Sequence, residues 1–232
     1  MKIECITLSA FQVNAYVLED PVSGDVALID TGFDGQLAQT LAAAAPPPQV
    51  KAILLTHAHF DHAGGLTDLQ QQYPEAVTYL PAMERTLFET LPKQGELIFG
   101  VNQFNRPCGR IDREVRDGDE VNVGTLKFRF IATPGHTPGQ GCYYTEEATF
   151  VGDTLFAGSV GRTDFPMSDA ELATESLRRL MDLPGHLKVY SGHGPVTTLE
   201  QELYTNPFLD YLRRERGIAA TRTAVGGTRR WT

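Results

Sequence analysis

Short apolar runs, broken by polar and glycine-containing segments, set the rhythm of this chain. Strand-like runs lie at residues 3–8, 15–18, 26–29 and 50–55, and again at 126–131, 148–151 and 187–190. Their length suits buried strands better than helices. Residues 35–45 and 169–181 carry helical spacing, and Pro46-Pro47-Pro48 ends the first of these helices. Between Met83 and Asp119 the pattern weakens into aromatics (Phe99, Phe104) mixed with Lys93, Arg106, Arg110 and Arg113. Interleaved strands and helices predict an α/β unit, and 232 residues suit one large domain. No internal repeat is visible. No run approaches the ~20 apolar residues of a membrane span. Nor does a basic segment followed by an apolar core open the chain. The expectation is a cytoplasmic protein with no membrane partner.

Candidate chemistry gathers at the ends of these runs. After Ala52-Ile53-Leu54-Leu55, residues 56–62 read T-H-A-H-F-D-H. Side chains alternate faces in an extended segment, so His57 and His59 project to the same side. Asp61 and His62 follow where the chain should turn into a helix, and can point back toward the same place. Of the six histidines, two more end β-like runs in glycine-flanked loops: His136 in T-P-G-H-T-P-G and His193 in S-G-H-G-P. Asp153 follows the same grammar in G-D-T. Glycine permits the close backbone approach that a ligand-bearing loop needs. His186, in L-P-G-H-L-K, reads as a helix-to-strand connector. Imidazole and carboxylate without thiolate suit zinc, iron or manganese, and the density of ligands suits two ions.

These motifs, in this order from Asp30 in L-I-D-T-G to His193, resemble the metallo-β-lactamase superfamily. Within it, residues 152–166 and 192–209 look most like the compact glyoxalase II-like (hydroxyacylglutathione hydrolase-type) proteins. The resemblance implies an α/β fold, a four-layer αβ/βα sandwich with the metals between two facing sheets at one edge. It also implies that His57, His59 and His136 bind one ion, that Asp61, His62 and His193 bind the other, and that Asp153 bridges them. The implied cofactors are two divalent ions, zinc first, with iron or manganese as alternatives.

Two such ions lower the pKa of a shared water toward neutrality and polarise the attacked carbonyl. Asp61 would orient that hydroxide. Metal-assisted hydrolysis of a thioester is therefore the expected reaction. The resemblance points to S-2-hydroxyacylglutathione (S-lactoylglutathione), giving a 2-hydroxy acid and glutathione. His59 stands where flavin-partnered di-iron members carry glutamate, which disfavours oxygen reduction. His62, and the lack of a placed cysteine, disfavour β-lactam hydrolysis. The main alternative is a mono-iron persulfide dioxygenase acting on glutathione persulfide, its iron held by His57, His136 and Asp153. A thioesterase or esterase indifferent to glutathione, or a metal-binding scaffold without catalysis, are the others. Arg162, in G-R-T-D-F, falls where larger relatives carry a glutathione-binding lysine, but Asp164 replaces the tyrosine beside it and is positioned to hold the arginine. Arg106 and Arg110 are further candidates for an anionic substrate.

Composition adds limits. An apolar content of 41% supplies a full core, and the net charge is −9. From Arg213 onward six arginines face one glutamate, so the body is more acidic still and poor as a nucleic-acid surface. Residues 1–212 are expected to form the domain, and 213–232 a basic tail that begins as the end of a helix. Cys5, Cys108 and Cys142 show no C-x-x-C spacing and read as plain thiols.

Overall fold

The computed structural model describes residues 1–218. Six strands form the first sheet, in chain order: β1 (Lys2–Leu8), β2 (Val13–Glu19), β3 (Asp25–Ile29), β4 (Gln49–Leu54), β5 (Val77–Pro81) and β6 (Arg113–Val115). Strands β1 to β3 pair antiparallel, whereas β3 to β6 are parallel. Parallel neighbours need crossovers. These are supplied by α1 (Gln36–Ala42), by α2 (Phe60–Ala63) with α3 (Leu66–Gln72), and by a longer segment holding α4 (Arg85–Phe88) and α5 (Gln94–Phe99).

The second sheet takes β7 (Glu120–Val123), β8 (Leu126–Ala132), β9 (Gly141–Tyr144) and β10 (Ala148–Gly152). A separate small hairpin follows, β11 (Leu155–Phe156) and β12 (Ser159–Val160). After α6 (Ala170–Leu180) come β13 (Lys188–Ser191) and β14 (Thr197–Thr198), in the sheet order β14-β13-β10-β9-β8-β7. Helices α7 (Leu199–Thr205) and α8 (Asp210–Glu215) close the described chain.

Alternation along the strands explains why the molecule has four layers. In β3, Val26 and Leu28 enter the apolar cluster beneath α1 and α3, while Ala27 and Ile29 enter the cluster between the sheets. A third cluster joins Cys142 and Val151 of the second sheet to Leu177 and Leu180 of α6 and Leu212 of α8. Three apolar seams between four layers make the αβ/βα sandwich that the motifs implied.

The strand-like runs all became strands, within a residue or two. Helix α6 matches its expected span, with Asp169 as N-cap accepting the N–H groups of Glu171 and Leu172 at 2.9 and 3.0 Å. Helix α1 stops at Ala42 rather than Ala45, with Ala43 as its C-cap, still in the α region. Near the C-terminus, Arg213 lies within α8 and is buried. It donates to the carbonyls of Leu203 and Asn206 at 3.0 and 2.9 Å. Arg216 bonds Asp182 at 2.7 Å. The first arginines of the expected tail thus pack on the folded body, and positions 219–232 lie outside the described residues.

Candidate metal centre

Strands β8, β10 and β13 run in one direction, since β8 and β10 are each antiparallel to β9 and β10 is parallel to β13. Their C-terminal ends deliver His136, Asp153 and His193 to a single edge. From the facing sheet, β4 delivers His57 and His59, and the short α2 turns Asp61 and His62 inward. Backbone bonds close the edge: Gly141 N–H to Thr56 O at 3.0 Å, and Asn14 N–H to Gly192 O at 2.7 Å.

All seven expected ligands meet there. Ligand atoms of His57, His59 and His136 lie within 4.8 Å of one another, as do those of Asp61, His62 and His193. Asp153 sits between the groups. Its Oδ1 is 3.4 Å from His62 Nε2, and its Oδ2 is 3.6 Å from both His136 Nε2 and His193 Nε2. Asp61 Oδ2 is 3.4 Å from His193 Nε2 and 3.8 Å from His62 Nε2.

Partners on the far side of each ring fix which nitrogen faces inward. His62 Nδ1–H donates to Asp30 Oδ2 at 2.8 Å, His136 Nδ1–H to Arg162 O at 2.8 Å, and His193 Nδ1–H to Gln12 O at 3.2 Å. Thr56 spends its hydroxyl proton on Asp30 at 2.8 Å, so it accepts from His57 Nδ1–H at 3.1 Å. Four imidazoles therefore carry a proton on Nδ1 and aim Nε2 at the centre, the orientation that metal-ligating histidines require. His59 differs by presenting Nδ1, 3.0 Å from His136 Nε2. Two lone pairs at that distance repel unless a proton or cation joins them. The buried His57 Nε2, His62 Nε2 and Asp153 Oδ1 have no hydrogen-bond partner. Orphaned buried atoms of this kind are rare unless an ion completes them, and nitrogen and oxygen donors in this number fit two divalent cations.

Electrostatics favour the same occupant. Burial, reinforced by the neighbouring imidazoles, drives His57 well below the ordinary imidazole range, and burial with His136 pushes His59 down to about 3. Burial opposes charge on His62 too, but Asp153, Asp61 and Asp30 outweigh it and raise that ring well above 6.5. Burial alone would raise Asp61 and Asp153. The His62 charge overrides it, and both stay low and ionised.

Sequence reasoning missed the supports behind these ligands. Asp30 holds the left-handed conformation (φ 59°) that Asp tolerates better than most residues. From there its carboxylate accepts Thr56 N–H at 2.8 Å as well as the two side-chain bonds above. Glu84 is fully buried and accepts Ala58 N–H at 2.7 Å and Gly139 N–H at 2.6 Å, tying the two histidine loops together. Gln94 accepts Phe60 N–H and donates to Ala58 O, at 2.9 and 2.8 Å. Only Asp30 had a visible signal, an acidic residue closing a strand before Thr-Gly.

A cavity of about 340 Å³ opens beside the centre, with His59, Asp61, His136, Asp153 and His193 on its floor. Arg162 lines it and is paired with Asp164 at 2.6 Å. Arg106 and Arg110 do not reach it. Arg106 stacks 3.6 Å over Phe33 and donates to the carbonyls of Phe33 and Asn105, at 2.9 and 2.7 Å. Arg110 is held by Asp112 at 2.6 Å and by Pro74 O at 3.0 Å. Both arginines are occupied in fixing the segment that carries Phe99 and Phe104. His186 lies in the exposed connector before β13, as expected.

A four-layer sandwich with a His/Asp cluster suited to a binuclear centre at one sheet edge marks a class of metal-dependent proteins. The chain belongs to the metallo-beta-lactamase superfamily, whose profile matches residues 8–193. It is similar to the hydroxyacylglutathione hydrolase GloC of Haemophilus influenzae, with 34% identity over 90% of this chain and 99% of that protein. Among solved structures, the B3 metallo-beta-lactamase BLEG-1 matches with TM-score 0.82 and 33% identity over 90% of this chain and 100% of its own. TTHA1623, solved in a di-iron-bound form, matches with TM-score 0.78 and 36% identity over 89% of this chain and 100% of its own. Among the described residues, no helix is long and apolar enough to cross a membrane.

Proposed function

We propose that this protein is a binuclear metal-dependent hydrolase that cleaves small thioesters, with S-2-hydroxyacylglutathione as the reference substrate by its relatives' names. The observation that carries the reading is the convergence of His57, His59 and His136 beside Asp61, His62 and His193, with Asp153 3.4 to 3.6 Å from His62, His136 and His193. A mono-iron dioxygenase would draw only on His57, His136 and Asp153 of these seven. His57, His59 and His136 would hold the first ion, Asp61, His62 and His193 the second, and Asp153 both. When bound, the ions lower the pKa of water and polarise the acyl carbonyl; zinc, iron and manganese all suit these donors.

Asp61 lines the cavity and stays ionised. It orients the attacking water and accepts its proton. The water oxygen bonds the acyl carbon, the C–S bond breaks with its electron pair passing to sulfur, and a carboxylate, a thiol and one proton result. Thiolate leaves readily, so no strong general acid is needed.

The test is loss of thioester absorbance with S-D-lactoylglutathione under exclusion of oxygen, beside a β-lactam. Chelator-sensitive loss of the thioester supports the reading. Turnover of the lactam alone, or oxygen uptake with glutathione persulfide in place of hydrolysis, contradicts it.

A further inference from the structure

Resting on the thioesterase reading above, we propose that selectivity lies in an apolar acyl group, aryl or branched alkyl, and that the thiol half of the substrate is not recognised by charge. The cavity walls beside the centre are Phe11, Phe60, Ile98, Phe99, Phe156 and Phe165. Phe11 and Phe60 meet edge to face at 5.0 Å, Phe60 and Phe99 at 5.8 Å, and Phe99 and Phe104 at 5.3 Å. Interlocked rings of this kind form a preorganised apolar wall, which gains roughly 25 cal/mol for each Å² of apolar ligand surface it covers. A lactoyl group, small and hydroxylated, offers it little.

Glutathione makes the opposite demand, because both its ends carry carboxylates. Among the described residues, Arg162 is the one arginine or lysine lining either this cavity or the adjoining one of about 440 Å³. Its guanidinium forks the Asp164 carboxylate at 2.6 and 2.7 Å and lies 4.1 Å over the Phe165 ring. A bidentate pair satisfies the planar face that a substrate carboxylate would use. Asp164 is thus a specificity-determining residue: it turns the one available cation into a neutral edge of the pocket.

The experiment measures kcat/KM of the metal-loaded protein for lactoyl, isovaleryl and phenylacetyl thioesters, each on glutathione and on N-acetylcysteamine, which lacks both carboxylates. Expected are a rise of about tenfold or more from lactoyl to phenylacetyl, and only a few-fold difference between the two thiols. Phe99→Ala should lower kcat/KM for the phenylacetyl and isovaleryl thioesters more than for the lactoyl one, narrowing the acyl preference. Asp164→Ala should free Arg162 and raise kcat/KM for the glutathione series alone. A preference for lactoyl, a large loss on N-acetylcysteamine, or an Asp164→Ala variant that leaves both series unchanged would overturn the inference. Failure to hydrolyse any thioester would instead fell the thioesterase reading, and this inference with it.

Discussion

His62 and Asp30 face each other across the base of the centre, Nδ1 to Oδ2 at 2.8 Å, with both residues buried. The same carboxylate holds the backbone and hydroxyl of Thr56, the residue before His57. One side chain thus orients a ligand from each metal group. Asp30→Asn keeps the size but turns an amide donor toward groups that already donate. The expected outcome is a 10- to 100-fold weaker hold on metal, the usual range for loss of such a support, with native circular dichroism. Calorimetric titration of the chelated protein decides it. Unchanged affinity would reduce Asp30 to a backbone brace.

Glu84 supports the centre from the other side, where its two oxygens accept N–H groups from both histidine loops. Burial pushes its carboxyl up, against the pull of the Ala58 and Gly139 N–H groups. Glu84→Ala leaves two buried donors unpaired, at about 1–3 kcal/mol each. The melting temperature should fall, and the cobalt-substituted protein should show an altered visible spectrum as His59 and His136 separate. A lower melting point with an unaltered spectrum would confine Glu84 to stability.

Metal binding should depend on pH in a definite sense. In the metal-free protein, His62 and His193 sit above their ordinary value of 6.5, His193 because Asp61 and Asp153 outweigh its burial. Each must lose its proton before Nε2 can bind an ion. Affinity for the second ion should therefore rise with pH above 6.5, by up to roughly tenfold per unit for each proton released. Stability without metal should run the other way there. The contribution of His62 is full below 6.5 and is lost as pH rises through its raised value. His59, lowered to about 3, costs stability as pH falls below 6.5. The chelated protein should thus melt highest near 6.5. Melting curves across pH 5 to 9, with and without metal, check both senses.

Gly192 tests how closely backbone must approach the bridge. A Cβ there would fall inside contact distance of Asp153 Oδ1, and 2.6 Å from His62 Cε1. Gly192→Ala should lower metal content below two ions per chain by elemental analysis. Full occupancy would show that Asp153 can shift and still bridge.

Much of this was legible because ligand-bearing loops follow strands whose apolar runs are themselves distinct. Residues 56–62 carry their chemistry in one word, and His136, Asp153 and His193 each end a recognisable run. What stayed hidden depends on three-dimensional neighbours. Glu84 lies in a stretch with no clean period, and its partners are 26 and 55 residues away. Arg106 and Arg110 looked like substrate cations, because sequence shows a charge but not the carbonyls that occupy it. For Arg162 the neighbour was local, and Asp164 two residues on already pointed to the pair that forms.

The most direct measurement is a titration of the metal-free protein with zinc, and separately with iron without oxygen, following thioesterase activity against ions bound per chain. Two ions around Asp153 predict that activity climbs to its maximum only as the second equivalent binds. It also predicts that Asp61→Ala stops at one ion, with turnover reduced by orders of magnitude. Full activity at one equivalent, or an Asp61→Ala variant that turns over normally, would contradict the binuclear centre.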